Sequence, residues 1–418
     1  MSREISIQIA SAGEAALVGQ IAPQLRWMLA ATAAQRQPQA IASEIGDALA
    51  YAVDPQTSRL DPSLGWSLAP DQEFKPSYRE LFGMYLRDLD APNPAVDWVP
   101  ATSQERRTYS DNTLEFADRQ LERKRNPDLE LFGIESLPGV AGQLRPERFL
   151  TPYRLIRTQA DVQLQQELWA DSRTTYRGRP VDRVLAVHPR MLAHLANLQG
   201  LRRAAPGRLW LAIPDFRVHV RHHRGHTVAH WAHQIGRALS ADGELGLLGC
   251  GFELMTLLGR HSAALSFGPH VADSRAMKTR GGPTPPFGYV PRVHDWVAFD
   301  KAHDVVAHLS TGRDVVRVYC PDPVCISQFE AVGPARFADA MFGMARRGRV
   351  WFPSVPARRA QREHALRARL RELALLELSP RDLIRTIEND AAASPFSVAA
   401  LRLAGWAMIL RADEHLAA

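Results

Sequence analysis

The sequence predicts an α/β fold: a (β/α) barrel followed by a metal-stapled, arginine-rich helical C-terminal region. Three observations carry that expectation. Short apolar runs alternate with helix-like segments between residues 181 and 267. A proline-stiffened loop holds two cysteines five positions apart, and arginine crowds the chain from Arg346 onward.

The apolar runs are Val181 to Val187, Leu209 to Ile213, Leu245 to Leu248 and Ser262 to Phe267. Between them lie helix-like segments at Pro189 to Leu198, Thr227 to Leu239 and Phe252 to Leu258. Apolar runs spaced by helices imply βα units around a parallel sheet, because parallel strands need a crossover that covers the sheet face. A closed barrel is the first expectation and an open doubly wound sheet the second. Upstream, Ser2 to Ala10 alternates as a strand would, and a helix is expected through Gln24 to Ala30. Residues 54 to 110 are rich in Pro, Asp and Ser and read as long loops with a short helix around Tyr78 to Leu89. Thr113 to Lys124 is polar and helix-prone, and Pro138-Gly139 with Pro146 punctuates a boundary near residue 150. Three regions follow: 1–150, holding first barrel elements with insertions or an independent domain; 151–345, the barrel core with the metal loop; and 346–418, the basic helical end.

Composition narrows the class. The 418 residues are 45% hydrophobic and 23% charged, as in an ordinary globular chain. No apolar stretch approaches the ~18 residues of a membrane span, so no membrane partner is expected. The start, Met1-Ser2-Arg3-Glu4-Ile5, lacks a secretory pattern, and three cysteines do not make a disulfide framework. A cytoplasmic location is the expectation. The net charge is +6, and lysine occurs only at 75, 124, 278 and 301. Arginine's planar fork suits phosphate, so a polyanion partner is one reading and an arginine-biased genome the other. Phosphate-loop and dinucleotide glycine motifs are absent from the sequence.

Tyr319-Cys320-Pro321-Asp322-Pro323-Val324-Cys325 is the most informative segment. Cys320 and Cys325 can turn two thiolates onto one ion, Asp322 offers an oxygen, and His364 downstream can close a tetrahedral site. Zinc accepts these donors, and four protein ligands make a structural site. The competing reading is two unrelated buried thiols. On the helix that follows, Arg358, Arg359, Arg362 and Arg367 are candidate nucleic-acid contacts, opposite a leucine face at Leu366, Leu370, Leu373 and Leu376.

The segment resembles the Cys-x-Cys-x-x-Cys…His zinc motif of tRNA-guanine transglycosylases and their DNA-modifying relatives. Cys320 and Cys325 match the outer cysteines, Asp322 stands for the middle one, and His364 for the histidine. Leu247 to Gly251 with the helix after it resembles the family's G-x-G strand and helix, which makes Gly249 and Gly251 candidate substrate contacts. Tyr289 to His294 resembles the lead-in to the metal loop, and His364 to Leu376 with Ser379 to Ile387 the closing helices. The resemblance spans roughly residues 180 to 410. It implies a (β/α) barrel, a structural zinc, and exchange of guanine for a 7-deazaguanine base in tRNA or DNA. An aspartate would attack the anomeric carbon and a second would manage protons. In register the nucleophile position is Gly268 or Ser266, so Asp273 is the nearest candidate. Asp171-Ser172-Arg173 is the closest match to an early Asp-Ser-Gly, and Asp215 follows a strand, where barrels place catalytic groups.

Two alternatives stand beside base exchange. One is a non-catalytic nucleic-acid-binding member of the same fold. The other is a metallohydrolase using Asp215 with the histidine cluster His219, His222, His223, His226, His230 and His233, in which one-turn spacing places two imidazoles on one ion.

Overall fold

The computed structural model describes residues 3–45, 50–57, 76–91, 98–119, 121, 145–194, 207–214, 216–221, 225–241, 243–268, 286–347 and 350–417. In chain order the first half gives β1 (Glu4–Ile9), α1 (Ala12–Ile21), β2 (Arg26–Ala30), α2 (Ala31–Arg36), α3 (Pro38–Glu44), β3 (Tyr51–Asp54), α4 (Pro76–Tyr85), α5 (Ser103–Arg119), β4 (Phe149–Leu150), β5 (Leu155–Ile156), α6 (Gln159–Asp171), β6 (Thr175–Tyr176) and β7 (Arg179–Val187). Then come β8 (Leu209–Ala212), α7 (Phe216–Val220), α8 (Gly225–Ala241), β9 (Leu245–Leu247), α9 (Phe252–Leu258) and β10 (Ala264–Phe267). The chain continues with β11 (Phe287–Val290), β12 (Asp295–Ala298), α10 (Phe299–Ala307), α11 (Gly312–Val318), α12 (Pro323–Val332), α13 (Pro334–Phe342), β13 (Met344–Arg347) and β14 (Val350–Pro353). It closes with α14 (Val355–Glu372), α15 (Pro380–Ala393) and α16 (Ser397–Ala417).

Eight strands form a nearly closed parallel ring in the order β3-β2-β1-β10-β9-β8-β7-β4. The seam between β3 and β4 is spanned by one parallel bridge, Ala52 to Arg148, and by the Glu147 N–H donating to the Tyr51 carbonyl at 2.8 Å. The expected barrel is therefore present in coarse form, and its first four strands lie within residues 1–150. The open-sheet alternative falls, because both ends of the strand order meet at that seam.

The ring has two apolar shells. Inside it, Met28, Ala52, Val184, Ala186, Trp210, Ala212 and Ala264 pack together. Outside, alternate residues of the same strands, such as Ile7, Trp27, Leu29, Leu185 and Leu211, pack beneath the helices. Strands buried on both faces read as unbroken apolar runs. That corrects the helix expected through Gln24 to Ala30: Arg26–Ala30 is β2, with Met28 facing inward and Trp27 and Leu29 outward. A short apolar run carries no period to separate strand from helix.

A second correction falls at the start of the basic region. Met344–Arg347 and Val350–Pro353 pair as an antiparallel hairpin, and the long helix begins only at Val355. The Val350-Trp351-Phe352 run favours strand through its branched and aromatic side chains. Residues 287 onward lie outside the ring; the first part builds its own core, with Phe299, Tyr319, Phe329, Phe337 and Phe342 at its centre, while Leu376, Leu383, Ile387 and Trp406 of the last helical segments join the barrel's outer shell.

The floor of the barrel, at the strand N-termini, is filled by charge and one large ring. Arg208 pairs with Glu4 at 2.8 Å, Arg26 with Glu147, and Arg148 with Asp182 at 2.9 Å. The Trp210 Nε1–H donates to Asp182 at 3.0 Å, which fixes the indole across the interior. Gly246 on β9 leaves space for it: a Cβ there would stand 2.7 Å from the Trp210 ring. We expect Gly246→Ala to destabilise by about 1–3 kcal/mol through overpacking, since the indole is held by its hydrogen bond and cannot swing away. Thermal unfolding of the variant checks this, and an unchanged Tm would contradict it.

Candidate functional site

In barrels of this kind, reacting groups sit at the C-terminal ends of strands. Here that rim carries Asp54 at the end of β3. Ala52 faces the interior, so Asp54, two residues on, faces it too. The Asp54 carboxylate is buried; its Oδ1 accepts from the Tyr153 hydroxyl at 2.7 Å and from the Gln56 N–H at 3.1 Å. Tyr153 is held by Thr57, whose Oγ1 accepts from the Tyr153 N–H at 2.7 Å and donates to its carbonyl at 2.8 Å. Gln56 is braced in turn by the Thr32 hydroxyl at 2.9 Å. A carboxylate oriented by a phenol on a barrel rim has the makings of a general base or nucleophile. Reading the sequence missed it because 54 onward looked like loop. The signal was present: Tyr51-Ala52-Val53 ending in Asp54-Pro55 repeats the pattern of Leu209 to Ile213 ending in Pro214-Asp215.

The sequence candidates are scattered. Asp273 and Asp215 lie outside the described residues. Asp171 ends α6, which runs back toward the strand N-termini, so it stands at the opposite end of the barrel from the rim. Ser103 donates to it at 2.6 Å and Arg106 at 2.6 Å. Burial raises its pKa, but the bonds to Ser103 and Arg106 and the charges of Arg106 and Arg107 hold it below the ordinary value. It is a structural ion-pair carboxylate. Gly249 and Gly251 do lie on the rim, in the turn from β9 to α9. Gly249 has φ of 63°, a conformation glycine adopts without strain.

Beside that turn the C-terminal layer grips the barrel. Arg369 of α14 is buried, donates to the Cys250 carbonyl at 2.7 Å and lies 5.4 Å from the centre of the Phe267 ring. His294 stacks on Phe252 at 4.1 Å between ring centres. Its Nδ1 is 2.7 Å from Glu372 and its Nε2 3.3 Å from Asp390. Arg292 donates to Asp390 at 2.6 Å, and the Tyr289 hydroxyl donates to Glu372. A second joint gathers Arg217, Arg221 and Arg402 around the buried Asp295.

The metal-loop residues do converge. Cys320, Cys325 and His364 are buried and their donor atoms lie within 4.8 Å of one another, with Cys325 Sγ 3.2 Å from His364 Nδ1. Tyr319 stacks on the imidazole at 5.0 Å and 13°. Burial, aided by Arg371, lowers the His364 pKa to about 3, so the ring is neutral. Its Nε2 is buried without a hydrogen-bond partner. Burial raises the Cys320 thiol pKa, but Cys325, the Asp322 N–H and Arg371 outweigh it and bring the value down. Cys325 moves the opposite way. Asp322 is not part of the cluster. Its side chain caps α12 by accepting from the Val324 N–H at 2.9 Å, and its other oxygen pairs with Arg371 at 3.0 Å. Proline at the next position made that residue a helix cap rather than an oxygen ligand.

Arg358, Arg359 and Arg362 are exposed on α14. Among the described residues Arg358 and Arg359 have no ion pair, Arg362 lies 3.8 Å from Glu14, and Arg367 pairs with Glu363 at 3.1 Å one turn back. Of the histidines, His219 on α7 packs edge-on against His188 with ring centres 5.5 Å apart, and His226 opens α8. His222 and His223 lie outside the described residues, and His230 and His233 on α8 face Asp413 of α16 at 3.7 and 3.2 Å. Among the described residues, the cysteine-histidine corner is the one cluster of three donors close enough to share an ion. Of the residues in the hydrolase alternative, Asp215, His222 and His223 lie outside the described residues, and the described ones form no three-donor cluster.

Burial pulls the His294 pKa down, but hydrogen bonds to Asp390 and Glu372, with their charges, raise it from 6.5 to about 9. The folded value lies above the ordinary one, so the imidazolium's stabilisation is complete below 6.5 and is lost as pH rises through about 9. We expect Tm to fall across that alkaline window, and His294→Gln to remove that part of the fall. A variant with the same alkaline profile would contradict the assignment. No protein family, curated protein or solved structure is matched by this chain.

Proposed function

We propose that this protein is a zinc-stapled barrel acting on nucleic acid, of the base-exchange type in which guanine is replaced by a 7-deazaguanine base in tRNA or DNA. The observation that carries the reading is the convergence of Cys320, Cys325 and His364 in the core of the C-terminal layer. Two thiols and a neutral imidazole are zinc's preferred donors, and a tetrahedral zinc sets sulfur and nitrogen roughly 3.5 Å apart. The 3.2 Å spacing of Cys325 and His364 is close to that. Zinc here would neutralise the buried thiolates and tie α12 to α14. It would have no part in the reaction.

Two features support the nucleic-acid part. The barrel's open end is a rim with a buried, hydrogen-bonded carboxylate, Asp54, and the glycine turn Gly249 to Gly251. On the C-terminal layer, the hairpin Met344–Pro353 and the first turns of α14 carry exposed Arg346, Arg358, Arg359 and Arg362 with the half-exposed Phe352, a mixture suited to phosphates and base faces. Breaking an N-glycosidic bond builds positive charge on the sugar; Asp54 would stabilise it or take a proton from the incoming base, with Tyr153 orienting its carboxylate. Asp273 remains the candidate for the second acid. The non-catalytic binding alternative differs only in lacking the bond-breaking step.

Purified protein should hold one zinc per chain by elemental analysis. Cys325→Ser should lose the zinc and lower Tm, whereas Asp322→Asn should retain it. Labelled guanine should enter tRNA or duplex DNA, and Asp54→Asn should slow that by about 10²–10⁴-fold at unchanged Tm. A metal-free wild type would overturn the zinc assignment. Absence of exchange on both substrates would overturn the catalytic reading, and salt-independent binding, or none, would overturn the nucleic-acid reading altogether.

A further inference from the structure

A cavity lies away from the rim, on the barrel's flank. It holds about 440 Å³, within the range of small-molecule sites. One wall is α8, α9 and the turn entering β10; the other is α15 and α16. Leu257, Leu383, Ile384 and Leu410 make its apolar surface. Arg237 and Arg260 line it and have no ion-pair partner among the described residues, although Glu414 stands near Arg260. Arg260 Nε is buried without a hydrogen bond, its guanidinium being held by the Leu378 carbonyl. Across the cavity, Asp413 is 6% exposed, and its Oδ1 is buried without a hydrogen-bond donor. His233 and His261 stand beside it with ring centres 5.3 Å apart.

These observations point to a ligand of definite character. Buried polar atoms without partners forfeit the hydrogen bonds that water gave them, so a cavity that gathers several is unsatisfied alone. Burial and the charge of Arg3 both push the Arg260 pKa down, a penalty that a bound anion reverses. Asp413 Oδ2 lies 3.2 Å from the His233 Nδ1, while its Oδ1, 3.7 Å from the His230 Nδ1, has no hydrogen bond and would accept one from a ligand. Because His230, His233, His261 and Asp413 do not bring three donor atoms within reach of one ion, a metal is not the natural occupant. We propose that this cleft binds a small organic anion with an apolar body. Its carboxylate or phosphate would face Arg237 and Arg260, and a hydroxyl or amino group would face Asp413. The site is independent of the cysteine-histidine corner and of the barrel rim.

Isothermal titration with 4-hydroxybenzoate, benzoate, phenyl phosphate and phenol tests each part. We expect saturable binding of 4-hydroxybenzoate or phenyl phosphate, with the better of the two identifying the anion, and phenol weaker by ~10-fold or more. Arg260→Gln and the exposed-site variant Arg237→Gln should each weaken the anion by ~10-fold. Asp413→Asn should remove the preference for 4-hydroxybenzoate over benzoate. Wild-type protein that binds neither anion overturns the proposal. So does binding left intact by Arg237→Gln and Arg260→Gln in folded protein.

Discussion

The architecture depends on a buried charged joint between the barrel and the layer that follows it. Arg369, Glu372 and Asp390 come from the last helices, His294 and Arg292 from the turn between two short strands, and Cys250 and Phe252 from the barrel rim. None of these charges is stable alone in a dry interior; together they compensate one another. The His294 backbone sits in the left-handed region, with φ of 48°, and that aims its ring between the two carboxylates. Arg369 reaches from the layer to the Cys250 carbonyl, and Arg217 and Arg221 of the barrel pair with the buried Asp295 of the layer, so the layer cannot slide over the barrel without leaving a charge unpaired. Position and register of the layer are set there.

That placement organises everything chemical in the molecule. The hydrogen-bonded carboxylate Asp54 and the turn at Gly249 share the open end of the ring, and the C-terminal layer docks at the Gly249 side of the same end. The cysteines and His364 sit inside that layer, in an aromatic core of Phe329, Phe337 and Tyr319, where they link its first helices to the long basic one. The exposed arginines of that helix lie on the face turned away from its buried residues Ala357, Gln361, His364 and Ala365.

Much of this was legible in the residues. The runs at 181–187, 209–213, 245–248 and 262–267 became barrel strands because branched and leucine-rich stretches buried on both faces have few other uses. Cys320, Cys325 and His364 met because a thiol pair on a proline turn constrains where a third donor can come from. What failed did so for local reasons. The five-residue strand at Arg26 carries no period, and the strand ending in Asp54 is shorter still, so both were masked by their neighbours. Asp322 departs from the expectation because a capping aspartate and a ligand aspartate look alike until the helix after them is known. Asp171 stands at the end of a helix with Arg106 and Ser103 as partners, which come from a distant segment and leave no mark in the local sequence.

The filled floor of the ring governs where the fold tolerates change. With the Trp210 indole pinned across the interior against Gly246, and pairs of arginine and carboxylate closing the strand N-termini, that half of the ring is solid from wall to wall. A substitution there is felt by each strand it touches, so this end acts as the keel of the barrel and leaves variation to the opposite side.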